Sequence, residues 1–206
     1  MLFSAWRDRL FRSPRWDQVV FWSLDLETTG LNPEHDRIIS AGMVPIRAGV
    51  IRYGERFHRF VRPEGLDDLS TDGIRAHHIL PAELADAPRL ADVLPEVDRR
   101  LREGVLLVHY ARLDVAFLRR AYGRCGLVWP KPRVVDTVAL VLRWHHRQQR
   151  WTPHPPPPRT ALPEARAAFQ LPEYRAHDAL SDALATAELF LVLRQRLGLE
   201  TLRGVS

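Results

Sequence analysis

Four acids and one histidine, spread over three stretches, have the residue types for metal-assisted hydrolysis. Asp25 and Glu27 stand in Ser23-Leu24-Asp25-Leu26-Glu27-Thr28-Thr29-Gly30, and Asp114 closes Val108-His109-Tyr110-Ala111-Arg112-Leu113-Asp114. His177 and Asp182 frame His177-Asp178-Ala179-Leu180-Ser181-Asp182. Carboxylates are hard oxygen ligands that suit divalent cations, and histidine is a base that titrates near neutral pH. An acidic pocket on a basic protein fits cleavage of a phosphodiester.

Each residue also has a plainer reading. An isolated Asp-x-Glu pair fits two exposed acids at a strand end. Asp114 and Asp136 both suit helix starts, where acids cap free amides and meet the positive end of the helix dipole; for Asp136, directly before Thr137, helix initiation is the better reading. Asp178 suits an N-terminal charge on the last helix, and His177 alone fits a surface histidine. Asp25, however, sits among Phe21, Trp22, Leu24 and Leu26. An ionised carboxylate in that company needs a compensating charge, and a metal ion supplies one.

The elements that must position these residues follow from the apolar pattern. Residues 18–26 read as a buried strand, so Asp25 and Glu27, two apart at its end, point to one face. Residues 38–47 and 50–61 read as two further strands joined by a hairpin at Ala48-Gly49. Residues 66–81 read as a broken loop, and 82–102 as a helix around its prolines with an apolar stripe from Leu90 to Leu101. A short strand at 105–109 precedes a helix at 113–123, and another at 133–136 precedes a helix from Thr137 to about His146. Pro153 and Pro155 to Pro158 interrupt regular structure, so 148–163 reads as an extended exposed loop. The last helix covers 178–197. His177 then lies just before it and Asp182 in its second turn, while Ala179, Ala183, Ala185 and Ala187 let it approach the sheet. The order indicates one α/β domain with a mixed sheet. It spans 18–196, after an N-terminal extension (1–17) and before a short C-terminal tail (197–206).

Bulk properties narrow the classes. The 206 residues are 46% hydrophobic and 27% charged, a globular composition. Net charge is +5 with a sequence pI of about 10.1, which favours polyanionic partners. Lys131 is the only lysine, so arginine, suited to bidentate phosphate contacts, carries the positive charge. A single cysteine, Cys125, excludes an internal disulfide and a multi-cysteine zinc site. No apolar run reaches the roughly 20 residues of a membrane span, and the N-terminus lacks a secretory signal; a reducing cytoplasm is the expected setting. Residues 1–15 mix Leu2, Phe3, Trp6, Leu10 and Phe11 with four arginines. They fit an amphipathic helix packed on the domain, a basic arm for nucleic acid, or a membrane-surface helix.

The three stretches resemble the motifs of the DnaQ-like 3′–5′ exonucleases of the DEDDh type, which include the epsilon subunit of DNA polymerase III. Asp25-Leu26-Glu27-Thr28-Thr29-Gly30-Leu31 matches the first motif nearly letter for letter. The second, usually His-Asn-x-x-Phe-Asp, reads His109-Tyr110-Ala111-Arg112-Leu113-Asp114, with tyrosine and leucine in place of asparagine and phenylalanine. His177 and Asp182 meet the third, His-x-x-x-x-Asp, and Gly73-Ile74 and His77-His78-Ile79 are similar to intervening elements of the family. The resemblance covers about residues 18–196.

This resemblance implies a ribonuclease H-like fold, a mixed five-stranded sheet flanked by helices. It implies two Mg²⁺ or Mn²⁺ ions roughly 3.5–4 Å apart, held by Asp25, Glu27 and Asp182, with Asp25 bridging and Asp114 acting through water. His177 would accept the proton of the attacking water. Thr28, Thr29, Leu31, His77, His109 and Tyr110 would contact the substrate, a nucleic acid with a free 3′ end. Single-stranded DNA is the leading substrate, with RNA 3′-end trimming and a catalytically silent interaction module as alternatives. A DNA polymerase or repair complex is a conceivable partner, but the stretch from Gly198 is too short for a polymerase-binding tail, which favours a stand-alone nuclease.

Overall fold

A computed structural model describes residues 13–64, 78–149 and 157–205. Most of the N-terminal extension, His77 with the Gly73-Ile74 element, and residues 150–156 of the proline-rich stretch lie outside the described residues.

The sheet has six strands: β1 (Phe21–Thr28), β2 (Ile38–Arg47), β3 (Val50–Ile51), β4 (Phe57–Phe60), β5 (Val105–Val108) and β6 (Val134–Asp136). Their order is β3-β2-β1-β5-β6, with β4 also on β2. β1 runs antiparallel to β2 and parallel to β5, which is parallel to β6, the mixed arrangement expected. There is one strand more than five, because the predicted strand over 50–61 divides. Ala48 and Gly49, both at positive φ, close the hairpin. The chain then leaves the sheet at a 3₁₀ turn, Tyr53–Glu55, and returns as β4. Ten-residue β2 pairs β3 near one end and β4 near the other.

Seven helices flank the sheet among the described residues: α1 (Pro81–Ala85), α2 (Leu90–Glu103), α3 (Ala111–Arg124), α4 (Thr137–Gln149), α5 (Leu162–Ala168), α6 (Ala179–Leu197) and α7 (Leu202–Val205). The single helix predicted over 82–102 is two, broken before Pro88, whose ring disfavours a helical residue at Ala87. The predicted loop to 163 ends early, since Pro163 occupies the first turn of α5, where its missing N–H costs nothing.

Strand alternation separates two cores. Phe21, Ile46, Leu107 and Val135 pack against Leu189, Phe190 and Leu193 of α6. On the other face Trp22, Leu24, Met43 and Leu106 pack against Val93 and Val97 of α2 and Phe117 of α3. Trp16 and, past α6, Leu199, Leu202 and Val205 are buried in the first core, and Arg15 bridges to Thr201.

One contact governs where the site residues meet. α6 begins directly over Gly42 of β2, where an added Cβ would collide with the Ala179 carbonyl and the Leu180 amide. Farther along, the Ser23 hydroxyl donates to the Ala183 carbonyl at 2.7 Å. Ala179, Ala183 and Ala187, four apart on one face of α6, are fully buried, so short side chains hold helix and sheet at near backbone contact. Gly42→Ala should therefore push the first turn of α6 away from β2 and cost about 3 kcal/mol, the upper range for overpacking. Urea unfolding checks this; an unchanged midpoint would remove the close approach as a determinant.

Candidate active site

Asp25 and Glu27 lie on the face of β1 that meets α6, the face of Phe21 and Ser23. Opposite them on β2 are Gly42 and Ser40, so the first turns of α6 stand over the pair and bring Asp182 to it. Ligand oxygens of Asp25, Glu27 and Asp182 all fall within 4.8 Å of one another. Asp114 arrives from the other side. β5 pairs with β1 only from Phe21 to Ser23, leaving the β1 edge at Asp25 open to the first turn of α3. Asp114 is buried there and interacts with the Leu26 backbone amide. It acts on Asp25 electrostatically but is outside the three-residue cluster.

His177 precedes α6 in a left-handed conformation, φ 64°. Its backbone amide donates to Asp182 Oδ2 at 2.9 Å, its residue is exposed, and its ring is close enough to favour the Asp182 charge. Asp178 caps α6, accepting from the Ser181 amide at 2.8 Å, the role its position predicts. Two supporting residues were not legible in the sequence. Buried Arg166 of α5 pairs with Glu188 at 2.7 Å and donates to the carbonyls of Ala185 and Pro172. It also lies 4.8 Å from the Tyr174 ring. It thereby ties the segment leading to His177 against α6 and holds Tyr174 beside Asp182.

The remaining candidates fall into two groups. The Thr28 hydroxyl donates to the Gly30 carbonyl, and that of buried Thr29 to Asp36 Oδ1, so both shape the turn after β1. Leu31 is 78% exposed beyond it. In the second motif, His109 is buried with both ring nitrogens engaged. Nε2 must donate to the Thr160 carbonyl at 2.7 Å, since a carbonyl only accepts. Burial disfavours the charged ring, and Nδ1 lies 2.7 Å from the Thr137 hydroxyl, which also reaches the Val108 carbonyl at 3.2 Å. The Tyr110 hydroxyl meets Thr160 Oγ1 at 2.6 Å, and its half-exposed ring packs edge-on against His109. Asp136 accepts from the amides of Tyr110, Ala111 and Val138, starting α4 as its position predicts and α3 as well, which its position does not predict.

Gathering these acids has an electrostatic cost. Burial, reinforced by Asp114, Asp182 and Glu27, holds the Asp25 carboxyl well above the usual carboxylate range. Burial and then Asp182 and Asp178 push Glu27 up to about 8. Asp114 is also raised to about 8, by burial first, against the pull of backbone amides. Burial raises Asp182, opposed by the Tyr174 hydroxyl and the His177 amide. Yet Asp182 Oδ1 and the Tyr174 hydroxyl, though neighbours, are both buried without a well-formed hydrogen bond. A buried carboxylate oxygen without a partner is costly. A divalent cation would complete it and neutralise its neighbours, so this all-oxygen donor set fits such an ion.

The sign of the pH dependence follows. Carboxyls whose folded pKa lies above the unfolded value of about 4 contribute stability that is complete below that value and lost as pH rises through about 8. In EDTA the protein should lose thermal stability from about pH 5.5 to 8.5. Mg²⁺ should restore more of it at the upper end, where fewer protons compete. A melting temperature in EDTA that climbs through this window would contradict the raised carboxyls.

These positions lie within a recognisable family span. The RNase_T exonuclease family model matches residues 22–190. The DNA polymerase III subunit epsilon of Treponema pallidum is 31% identical over 178 residues, covering 86% of this chain and 77% of its own length. The PolC-type DNA polymerase III of Thermotoga maritima is 31% identical over 174 residues, 84% of this chain but 12% of that protein. Among solved structures, the zinc-bound Escherichia coli ExoI–ssDNA complex shares the fold with a TM-score of 0.74. Its identity is 19%, over 88% of this chain and 42% of that one. The chain thus spans less than half the length of two of these three proteins. The match to the family model takes in all three acidic motifs and most of the sheet that assembles them, and on it the chain belongs to the exonuclease family.

Proposed function

We propose that the chain is a metal-dependent 3′–5′ exonuclease that releases nucleoside monophosphates from single-stranded DNA. The observation that carries this reading is the convergence of Asp25, Glu27 and Asp182 oxygens within 4.8 Å, with His177 at their edge. DNA is favoured over RNA because two of the similar proteins are named as parts of DNA polymerase III and the third was solved with ssDNA. Those names also favour a replication or repair setting.

Asp25, Glu27 and Asp182 would hold one Mg²⁺ or Mn²⁺, and Asp25 would face a second with Asp114 acting through water. When bound, the ions supply Lewis acidity to the phosphate and its incoming water. His177 accepts a proton from that water, whose oxygen forms the new bond to phosphorus. The bond from phosphorus to the 3′ oxygen breaks, and the shortened strand leaves with a 3′-hydroxyl once that oxygen is protonated. Leu31, which follows the first motif, and Tyr110, which precedes the helix carrying Asp114, are both exposed and would offer apolar surface to the terminal bases; base–aromatic stacking is worth about 1–3 kcal/mol. His109 acts indirectly, by holding Thr160 and hence the wall beside Tyr110.

The test is product length. Purified protein, given 5′-labelled single-stranded DNA, duplex DNA or RNA with Mg²⁺, Mn²⁺ or EDTA, should shorten single-stranded DNA stepwise from its 3′ end only with a metal. Internal cuts, or preference for RNA, would replace this reading. Asp25→Ala and Asp182→Ala should abolish turnover. His177→Ala should lower kcat by about 10²–10⁴ while calorimetric Mn²⁺ affinity stays close to wild type. A lost Mn²⁺ isotherm would make His177 a ligand instead of a base.

A further inference from the structure

A second charged feature lies away from the acids. The start of β2, the turn after β4, the start of α2 and the end of α3 enclose a cavity of about 600 Å³. Among the described residues, Arg37, Arg62, Arg89 and Arg124 line it against a single acid, Glu64. Its volume is within the roughly 300–1,000 Å³ of small-ligand sites.

The guanidinium groups are oriented by neutral acceptors. The Asp36 carbonyl takes N–H groups from both Arg37, at 3.2 Å, and Arg124, at 3.0 Å. Arg124 also donates to the carbonyls of Pro33 and Glu34, and Arg62 to that of Ala85. Carbonyls orient these cations without cancelling their charge. Glu64 stands 3.9 Å from Arg37 Nε, but its side chain is 88% exposed, so water screens it. Burial first, then Arg37 and Arg120, disfavour the charge on Arg124. Each guanidinium carries five donors, so N–H groups remain for a further acceptor. Like charges held together with donors to spare suit an oxyanion, and the arginine fork matches phosphate.

The cavity is joined to the acidic site through two elements. The Thr29 amide, in the first motif, donates to the Arg37 carbonyl at 2.9 Å. Arg124 ends the helix whose first turn holds Asp114, ten residues or about 15 Å away along α3. Stacked nucleotides advance about 3.4 Å each, so that distance corresponds to about four nucleotides.

We propose that this arginine-lined cavity binds a backbone phosphate of the strand being degraded, a few nucleotides from the scissile bond. The proposal rests on the nuclease reading and deepens it, by making the grip on substrate depend on strand length. Arg89 is the residue to reverse, because its side chain is exposed and makes no hydrogen bond or ion pair among the described residues.

Binding of a labelled 20-nucleotide single strand and of a dinucleotide is measured in EDTA, over a range of salt, for the full chain and Arg89→Glu. The 20-mer Kd should rise about tenfold and the slope of log affinity against log salt should fall by about one. The advantage of the 20-mer over the dinucleotide should shrink, and Arg89→Lys should recover most of it. Equal Kd and slope in Arg89→Glu and wild type, or equal weakening on both lengths, would overturn the proposal. So would weakening confined to the dinucleotide, which would mark a terminal-nucleotide site instead. Because binding in EDTA needs no cleavage, failure of the nuclease reading would appear separately, as strand binding without products when metal is added.

Discussion

The site depends on a conflict between packing and charge. The close seat of α6 on β2 at Gly42 forces carboxylates from β1 and α6 into one small volume, and their burial leaves them little water. The same seat that raises their pKa values brings their oxygens within reach of a single ion. Much of the local structure works to hold that unfavourable gathering in place. The Ser23–Ala183 bond fixes the helix, Arg166 braces the segment before it, and Asp136 starts α3 so that Asp114 closes the other side.

Division of labour between the two faces of the sheet explains how such a cluster is tolerated. Phe21, Phe190 and Leu193 on one face, and Trp22, Leu24 and Phe117 on the other, are apolar and fully packed. Hydrophobic burial there offsets the electrostatic penalty at the end of β1. Two of the six described non-glycine residues at positive φ, Tyr110 and His177, sit at the starts of the two helices that bring Asp114 and Asp182 inward. Non-glycine residues in that conformation are held there by their surroundings.

Much of this arrangement was legible in the chain, for physical reasons. Asp25 and Glu27 were readable because strand alternation fixes their common face, and Asp182 because small residues mark the side of α6 that touches the sheet. The mixed sheet followed from tight turns early and crossovers later. What escaped was tertiary. Nothing local marks Arg166 as buried or Tyr174 as the neighbour of Asp182, since both facts depend on α5 packing beside α6. The helix at Leu162 was hidden by the prolines before it. The division of β3 from β4 depends on the length of their shared partner, and the internal commitments of His109 depend on Thr160, fifty-one residues away in sequence.

That latch has an evolutionary consequence. Thr160 is gripped by a histidine and a tyrosine of the second motif, and α4 is anchored by Val138 and Val141 in the core. Gln149 and Thr160 thus belong to segments that are each fixed to the domain. The Tyr110 hydroxyl and the side chain at position 160 should therefore change together, whereas His109, which grips the main chain there, is indifferent to the side chain at that position.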